Sequence, residues 1–99
     1  MRTRFVVSYD IGDPKRLRKV FQLLKGYGVH LQYSVFRCDL TPTMRVLLES
    51  ELRDIIDFEE DRLLFVDVGP SEGRGLEVFY AVGKDAPDPD PFQGQARVV

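Results

Sequence analysis

The residue of this chain with the clearest potential for chemistry is Asp10, which stands between a strand-like run and the start of a predicted helix. It directly follows the apolar segment at residues 4–9 and lies two positions before a glycine. Loops at such positions commonly present functional groups from a rigid frame. A turn or capping role is the more frequent one for an isolated aspartate at a strand end. Asp10 is therefore a candidate catalytic residue and metal ligand, with a structural role as the alternative.

A single carboxylate is a poor ligand set for Mg²⁺, because this ion takes octahedral oxygen ligands, usually one or two carboxylates together with substrate phosphate. Two-fold symmetry offers a second carboxylate, since in a dimer with Asp10 near the axis two copies of the side chain face each other. Their repulsion at close range is relieved by a divalent cation or a shared proton. We therefore expect a homodimer in which the two Asp10 residues bind one divalent ion.

Four positive charges crowd into the five residues Lys15–Lys19, at the start of the predicted first helix. Cations at a helix N-terminus oppose the helix dipole, at a cost of roughly a few tenths of a kcal/mol each. A phosphate group would favour both these side chains and the exposed N–H groups of the first turn. The pattern indicates a phosphate-binding surface that includes Arg16 and Arg18, and a solvated helix face is the equally common alternative.

The other candidates are weaker. His30 is the only histidine and Cys38 the only cysteine, so one chain cannot form a two-histidine or a multi-cysteine metal site. We expect His30 on a strand surface and Cys38 as a packed thiol. The aromatic residues Tyr9, Tyr33 and Phe36 resemble a base-stacking platform, although strand aromatics at this density usually form core.

Hydropathy patterns predict the elements that position these residues. Residues 4–9 are β-branched and aromatic, as expected of a buried strand. Asp13 is the predicted N-cap of a helix that begins with a proline and ends at the glycines of positions 26 and 28. The apolar residues that recur at helical spacing and should face the core are Leu17, Val20, Phe21 and Leu24.

The rest of the chain repeats these signals. Residues 29–38 form one bent strand or two short strands divided near residues 32–34. Thr41 and a proline begin a second helix that should end near Asp57. Further predictions are a strand at 62–68, a turn-rich loop at 69–75 and a C-terminal strand at 76–82. The predicted core residues of the second helix are Met44, Leu47, Leu48, Ile55 and Ile56.

This order of elements predicts an α+β sandwich with two helices on one face of a single sheet. The candidate layout is a ferredoxin-like βαββαβ fold with an extra C-terminal strand. We expect one domain over residues 1–83, followed by an acidic, Pro-rich linker and a short C-terminal strand or tail over residues 84–99.

Composition favours a small globular protein. Of the 99 residues, 43% are hydrophobic and 30% charged, and no apolar run reaches the roughly 20 residues of a membrane helix. The single cysteine and the lack of a signal-like start favour a cytoplasmic location. The net charge of −2 conceals an asymmetry, because residues 1–45 carry +6 and residues 46–99 carry −8. A phosphate backbone responds to the local field, so the basic half can bind nucleic acid.

Tyr9-Asp10-Ile11, which closes the first strand, resembles the signature of the small CRISPR-associated adaptation proteins or endoribonucleases. Members of that family are the dimeric subunit that accompanies the CRISPR integrase. The basic helix Lys15–Lys19 and the segment Gln32-Tyr33-Ser34-Val35-Phe36 are similar to the next two features of the family, at matching spacing. The resemblance covers residues 3–82.

The resemblance implies a ferredoxin-like fold, a homodimer built through the sheets, and a last strand that extends onto the partner protomer. It also implies Mg²⁺- or Mn²⁺-dependent cleavage of phosphodiester bonds in single-stranded RNA or double-stranded DNA during spacer acquisition. Asp10 matches the metal-binding aspartate of the family, whereas His30 stands where members often carry a basic residue. Nucleic-acid-binding or supporting roles are implied for Tyr9, Arg16, Arg18, Ser34 and Phe36.

In the expected reaction the Asp10 pair holds a divalent ion that lowers the pKa of bound water and neutralises charge on the scissile phosphate. Arginines of the first helix and Phe36 are expected to position the strand. The expected partners are a second copy of the chain, RNA or DNA, and the CRISPR integrase subunit, with no membrane. Two alternatives remain open: a non-catalytic homodimeric DNA-binding bridge of the integrase complex, and a toxin-like endoribonuclease acting on cellular RNA.

Overall fold

The computed structural model describes residues 1–72 and 80–83 of the chain. The elements in chain order are β1 (Thr3–Asp10), α1 (Pro14–Lys25), β2 (Gly28–Gln32), β3 (Val35–Leu40), α2 (Pro42–Ile55) and β4 (Arg62–Pro70). The four strands form one antiparallel sheet in the order β2-β3-β1-β4. This is the ferredoxin-like βαββαβ arrangement, so the predicted α+β fold is confirmed.

The core lies between the sheet and the two helices, because side chains alternate along the central strands β1 and β3. One face of each strand is buried and packs on a two-residue apolar stripe of each helix. Cys38 belongs to this core as the packed thiol that the sequence predicts. The buried side chains of the cluster are Phe5, Val7, Tyr9, Val20, Leu24, Phe36, Cys38, Leu40, Leu48 and Leu52.

Both helices start at the residues that the sequence predicts. The Asp13 side chain accepts hydrogen bonds from two backbone N–H groups of the first turn of α1, and the Thr41 hydroxyl accepts one from Met44 in α2. Two core predictions are wrong: Leu17 of α1 is 40% exposed and Leu47 of α2 is 50% exposed, whereas Leu52 is buried. Residues four apart share a helix face, so the buried stripe of α2 runs through Leu48 and Leu52 and leaves Leu47 at its edge.

Residues 29–38 form two strands and not one, since β2 and β3 are separated by the residues Tyr33 and Ser34. Tyr33 adopts a φ of 34°, a left-handed backbone conformation that side chains other than glycine seldom take. The turn reverses the chain between the two paired strands. The turn lies beside the C-terminal end of β1, where the backbone N–H of Tyr9 donates to the carbonyl of Ser34 at 3.1 Å.

The structure extends one of the two strands predicted after residue 61 and corrects part of the other. The strand predicted at 62–68 continues to Pro70, so the first two residues of the predicted loop belong to β4. Of the predicted strand at 76–82, residues 76–79 lie outside the described residues. Residues 80–82 are described and are not in a strand, which corrects that part of the prediction. Tyr80 and Val82 are largely exposed, and an apolar pattern alone does not supply the hydrogen-bonding neighbour that a strand needs.

The residues after Gly83 lie outside the described part of the chain, and the division into a domain at 1–83 and a tail at 84–99 stays a prediction. In residues 1–72 and 80–83, neither α1 with 12 residues nor α2 with 14 has the length to cross a membrane.

Candidate functional site

Asp10 is the last residue of β1 and is exposed. Its neighbour Tyr9 is buried on the helix side of the sheet, and side chains alternate along a strand. Asp10 therefore projects from the opposite face, where it lies across from Arg62 of β4 in the register of the two strands. A central strand of the sheet thus presents an accessible carboxylate at its end.

Two acids at the turn after Asp10, namely Asp13 and Asp61, are already engaged. Asp13 caps α1 through its carboxylate, which accepts the N–H groups of Lys15 and Arg16, each at 3.0 Å. Asp61 accepts backbone hydrogen bonds from Gly12 and Asp57, each at 2.8 Å. Both carboxylates hold backbone in place, whereas the exposed carboxylate of Asp10 is open to a ligand.

Asp61 also binds the guanidinium of Arg16 through two hydrogen bonds, Nε to Oδ2 at 2.7 Å and a terminal nitrogen to Oδ1 at 3.1 Å. Glu60 lies at the edge of this pair, with an oxygen 3.6 Å from the same guanidinium. The pair ties the start of α1 to the loop between α2 and β4. Through Gly12 it also fixes the turn that follows Asp10, so Asp61 is a positioning residue for the candidate catalytic carboxylate.

The electrostatics of this pair follow from its geometry. The hydrogen bond from Arg16 and those from backbone N–H groups hold the pKa of Asp61 well below its usual range, although loss of solvent opposes them. The same hydrogen bond, which Arg16 donates to Asp61, raises the pKa of Arg16. The pair is therefore ionised at neutral pH, and the Arg16 guanidinium is committed to the protein framework.

The sequence predicts a nucleic-acid-binding or supporting role for Arg16, and it does not single out Asp61. The partner of Arg16 is 45 residues away in the chain, and nothing in the spacing of the sequence connects the two. The available signal was local: Asp57 and Asp61 flank a short loop between an amphipathic helix and an apolar strand, where aspartates commonly accept backbone hydrogen bonds. That signal predicts a turn, but it does not predict which arginine the turn binds.

Phe36 does not reach the surface. It is fully buried, and its ring lies 6.2 Å from that of Tyr9 and 5.6 Å from that of Phe21, centroid to centroid. Of the two roles expected for Phe36, binding or supporting, its place in the core beside Tyr9 leaves the supporting one. Its ring packs against that of Tyr9, whose hydroxyl pKa is raised by burial.

An open cavity of about 540 Å³ lies beside Tyr9, between α1 and the turn after β2. We call it the aromatic groove. It brings together three of the residues that the sequence singled out, Tyr9, Arg18 and Ser34, and Tyr33 stands on its rim. The residues that line it include Tyr9, Leu17, Arg18, Phe21, Tyr33 and Ser34.

His30 supports this turn. Its Nε2 lies 2.6 Å from the carbonyl oxygen of Tyr33, and since a carbonyl only accepts, Nε2 is the donor. The imidazole also packs against the rings of Phe21 and Phe36, with centroids 5.0 and 4.9 Å away. This arrangement agrees with a structural histidine on a strand.

Burial raises the pKa of the Cys38 thiol to about 12, so this thiol is not a nucleophile at neutral pH.

We call the face of the sheet away from the helices the open face. It carries Asp10, and its centre is apolar. Val6 of β1 lies across from Val66 of β4, and Leu64 extends the same patch. The side chains of Leu64 and Val66 are 54% and 41% exposed. Apolar residues side by side on a solvent-facing sheet are typical of a surface that is covered in the assembled protein.

Beside this apolar centre, the open face carries a charged cluster around Asp39. The Asp39 carboxylate accepts from Arg4 Nε at 2.8 Å and from the Ser71 hydroxyl at 3.0 Å, and Arg37 Nε lies 3.8 Å away. Burial would raise the pKa of Asp39, but the hydrogen bonds and the two arginines outweigh it and lower the pKa. Asp39 is therefore ionised at neutral pH, at the side of the apolar patch.

One protomer supplies few ligands for a metal ion. In residues 1–72 and 80–83, no three His, Cys, Asp or Glu side chains are grouped as a metal site. The oxygens of Asp10 are of the kind that Mg²⁺ and Mn²⁺ prefer, and the position of Asp10 on the open face allows a second copy to contribute its own. The donor chemistry fits a divalent cation if two protomers share the site.

Comparison with known proteins places these features in a family. Residues 1–73, which span all six elements, match the family model described as CRISPR associated protein Cas2. The CRISPR-associated endoribonuclease Cas2 1 of Rhodospirillum rubrum is 49% identical over 74 residues, which cover 75% of this chain and 72% of that protein. The CRISPR-associated endoribonuclease Cas2 of Geobacter sulfurreducens is 35% identical over 99 residues, 100% of both chains.

Solved structures give the same answer. The crystal structure of Streptococcus pyogenes Cas2 superposes with a TM-score of 0.71 at 33% identity, over 81% of this chain and 99% of that one. A hypothetical protein from Thermus thermophilus superposes with a TM-score of 0.72 at 30% identity, over 91% of this chain and 100% of that one. The resemblance noted in the sequence is confirmed, and the chain belongs to the Cas2 family of CRISPR-associated proteins.

Proposed function

We propose that this protein is a metal-dependent endonuclease of CRISPR adaptation that works as a homodimer and uses Asp10 as its catalytic carboxylate. Its curated relatives bear the name CRISPR-associated endoribonuclease, which supports a nuclease role in CRISPR adaptation. The observation that carries the choice of residue is the exposed Asp10 carboxylate at the end of a central strand, beside acids that hold the backbone.

Single-stranded RNA is the first substrate to test, because the names of the relatives specify an endoribonuclease. Double-stranded DNA is the second. The exposed cations of α1, Lys15, Arg18 and Lys19, support contact with the phosphates of either polymer. Binding that depends on such contacts weakens steeply as the salt concentration rises.

Dimerisation through the open face is part of the proposal. Members of the family form dimers, and the apolar patch around Leu64 and Val66 gives this chain a surface suited to burial in one. A two-fold interface uses the same patch on both protomers. Because Asp10 projects from the same face as Val6, pairing the open faces turns both Asp10 side chains toward the interface.

The proposed cofactor is Mg²⁺ or Mn²⁺. When bound, it supplies a water of lowered pKa and offsets negative charge at the phosphate. The part of the chain in this reaction is to hold Asp10 on a rigid strand end, while Asp61 and Arg16 fix the turn behind it. The basic surface of α1 orients the phosphates of the substrate.

The test is Asp10→Asn, which keeps the size of the side chain and removes its charge. We expect the cleavage rate to fall by roughly a thousandfold or more, with the fold and the oligomeric state unchanged by circular dichroism and light scattering. Glu59→Gln, which removes an exposed carboxylate from the loop after α2, is the matched control and should cleave at the wild-type rate. Full activity of Asp10→Asn would contradict the catalytic assignment.

A second function, a non-catalytic DNA-binding bridge within the CRISPR integrase complex, is favoured by one observation. A protomer presents few metal ligands in its described residues, yet it has both the open face for a dimer and a basic helix for a duplex. The two functions separate in a spacer-acquisition assay. Acquisition that survives Asp10→Ala identifies the bridge, and acquisition that is lost with it identifies the nuclease.

A further inference from the structure

We propose that the aromatic groove is a base-binding subsite, in which the ring of Tyr33 stacks on an unpaired nucleobase of the substrate strand. The inference rests on the proposed nuclease function and deepens it, because it names the structural feature of the substrate that the protein selects. Tyr33 is the residue that carries it.

The Tyr33 ring is presented to solvent and is 89% exposed, although its backbone is held in place. Its φ of 34° is unfavourable for a tyrosine, and such conformations persist only where the surroundings enforce them. Two side chains approach its carbonyl oxygen, His30 Nε2 at 2.6 Å and the Tyr9 hydroxyl at 3.5 Å. The turn therefore fixes the backbone from below and leaves the ring uncovered.

The groove next to this ring has the shape and the chemistry for a base. Its volume of about 540 Å³ lies within the range of small-ligand sites. Tyr9, Leu17 and Phe21 give it apolar and aromatic walls, and Arg18 stands on its α1 side. Aromatic faces stack on any base with little sequence preference, and a neighbouring cation binds the phosphate of the same nucleotide.

Charge and exposure favour a single strand as the occupant. The cations Lys15, Arg18 and Lys19 are exposed on the helix that borders the groove, which complements a phosphate backbone. In a duplex the faces of the bases are occupied by stacking on each other, whereas an unpaired base offers its face to an aromatic side chain. An exposed ring beside a cationic wall thus distinguishes single strands from duplexes.

The groove is also connected to the candidate catalytic residue. Tyr9 lines it and directly precedes Asp10, and the Tyr9 N–H donates to the carbonyl of Ser34 at 3.1 Å. This hydrogen bond joins the turn that carries Tyr33 to the strand that carries Asp10. A base held in the groove therefore limits where the adjoining phosphate can lie relative to Asp10. This restriction would determine which phosphodiester bond of the nucleic acid is cleaved.

The test measures binding of a labelled single-stranded RNA of mixed sequence, and of the duplex of the same sequence, to the full chain in EDTA so that no cleavage occurs. Tyr33→Ala should weaken binding of the single strand about tenfold and leave duplex binding unchanged. Tyr33→Phe keeps the ring and should bind like the wild type. Phe58→Ala, which removes a 65% exposed aromatic ring from the surface next to α2, is the control and should also bind like the wild type.

Two results would overturn the subsite: single-strand affinity unchanged in Tyr33→Ala, or equal losses for single strand and duplex. Cleavage of the same RNA with Mn²⁺ separates this inference from the proposed function. A wild-type protein that fails to cleave, yet shows the Tyr33 effect on binding, retains the subsite and loses the nuclease function. A wild-type protein that cleaves, with KM unchanged in Tyr33→Ala, retains the nuclease function and loses the subsite.

Discussion

Two aspartates at one end of the sheet have different environments and therefore different chemical capacities. Asp10 ends a central strand with an exposed carboxylate, whereas the Asp61 side chain is fully buried against Arg16. A carboxylate that accepts several hydrogen bonds from a cation and from backbone N–H groups is stabilised in its charged form and is not available to a substrate. The exposed carboxylate is the one that can change partners during a reaction.

The first prediction at this scale concerns Asp61. Because its pKa is depressed in the folded protein, its ionisation contributes stability that is present above the unfolded-state pKa of about 3.9 and is lost as the pH falls toward the folded-state value. Asp61→Asn should therefore unfold more easily than the wild type at pH 7, and the difference should shrink in acid. Urea unfolding at a series of pH values below and above the unfolded-state pKa measures this difference in stability.

The control for this series is Asp54→Asn, which alters an exposed aspartate on α2. Its free energy of unfolding at pH 7 should differ from that of the wild type by no more than about 0.5 kcal/mol. A gap between Asp61→Asn and the wild type that is equally large at pH 7 and in acid would contradict the role of the ionised pair.

At the residue scale, the sequence identified what local pattern can identify. Asp10 after a strand, the Asp13 cap and the buried Cys38 are readable because each depends on its immediate neighbours in the chain. Asp61 was missed because its partners, Gly12 and Arg16, come from a loop and a helix distant in sequence. For Phe36 the sequence leaves a base-stacking role and a core role open, because strand alternation alone does not tell which face a helix covers.

At the scale of elements, the turn between β2 and β3 organises the candidate substrate surface. It carries Tyr33 and Ser34, binds the end of β1 by a backbone hydrogen bond and borders the aromatic groove. The pairing of β2 with β3 sets its position. Gly28 lies at the far end of that pairing, opposite Cys38, where the two strands approach closely.

The element-scale prediction uses this close approach. A Cβ at position 28 would contact the Arg37 carbonyl oxygen and lie 2.6 Å from the Cys38 sulfur, so the strands would have to separate. Gly28→Ala should lower the free energy of unfolding by about 1–3 kcal/mol, the usual cost of overpacking, as measured by urea denaturation. Single-strand RNA affinity should fall with it if the turn depends on the pairing.

Gly26→Ala is the matched control, since Gly26 has an ordinary helical φ of −78° and its Cβ would lie 3.3 Å from a single carbonyl oxygen, that of Leu23. This variant should change stability by less than about 1 kcal/mol. Equal stabilities of the two alanine variants would show that the approach of β2 to β3 does not constrain position 28.

The elements themselves could largely be predicted, for a physical reason. The Asp-Pro and Thr-Pro pairs are local start signals, and both helices begin at the prolines, Pro14 and Pro42. The sequence does not decide between one strand and two over residues 29–38, because the division depends on Tyr33 entering a left-handed conformation, which no propensity of tyrosine favours. The strand predicted at 76–82 relied on hydropathy alone, and its last three residues have no strand pairing.

At the scale of the whole molecule, charge and apolar surface are divided between regions with different proposed partners. The basic half of the chain includes the α1 surface, which suits a polyanion, while the open face suits a second copy of the chain. In residues 1–72 and 80–83 no three metal-ligating side chains are grouped, so a protomer by itself is an incomplete metal site. The proposed activity is thus a property of the dimer, and the shared site predicts a particular dependence on subunit composition.

The final prediction tests that dependence by mixing wild-type protein with Asp10→Asn under conditions that exchange subunits. If both Asp10 residues act in one site, only dimers with two intact copies cleave. An equal mixture then retains about one quarter of the activity of wild-type protein at the same total protein concentration. If each protomer acts alone, about one half remains.

Leu64→Glu places a charge at the centre of the open face and should yield monomers by light scattering. An equal mixture of wild type with this variant should retain about one half, because the wild-type subunits then pair only with each other. An Asp10→Asn mixture that also retains one half would mean that the two carboxylates do not share a cation.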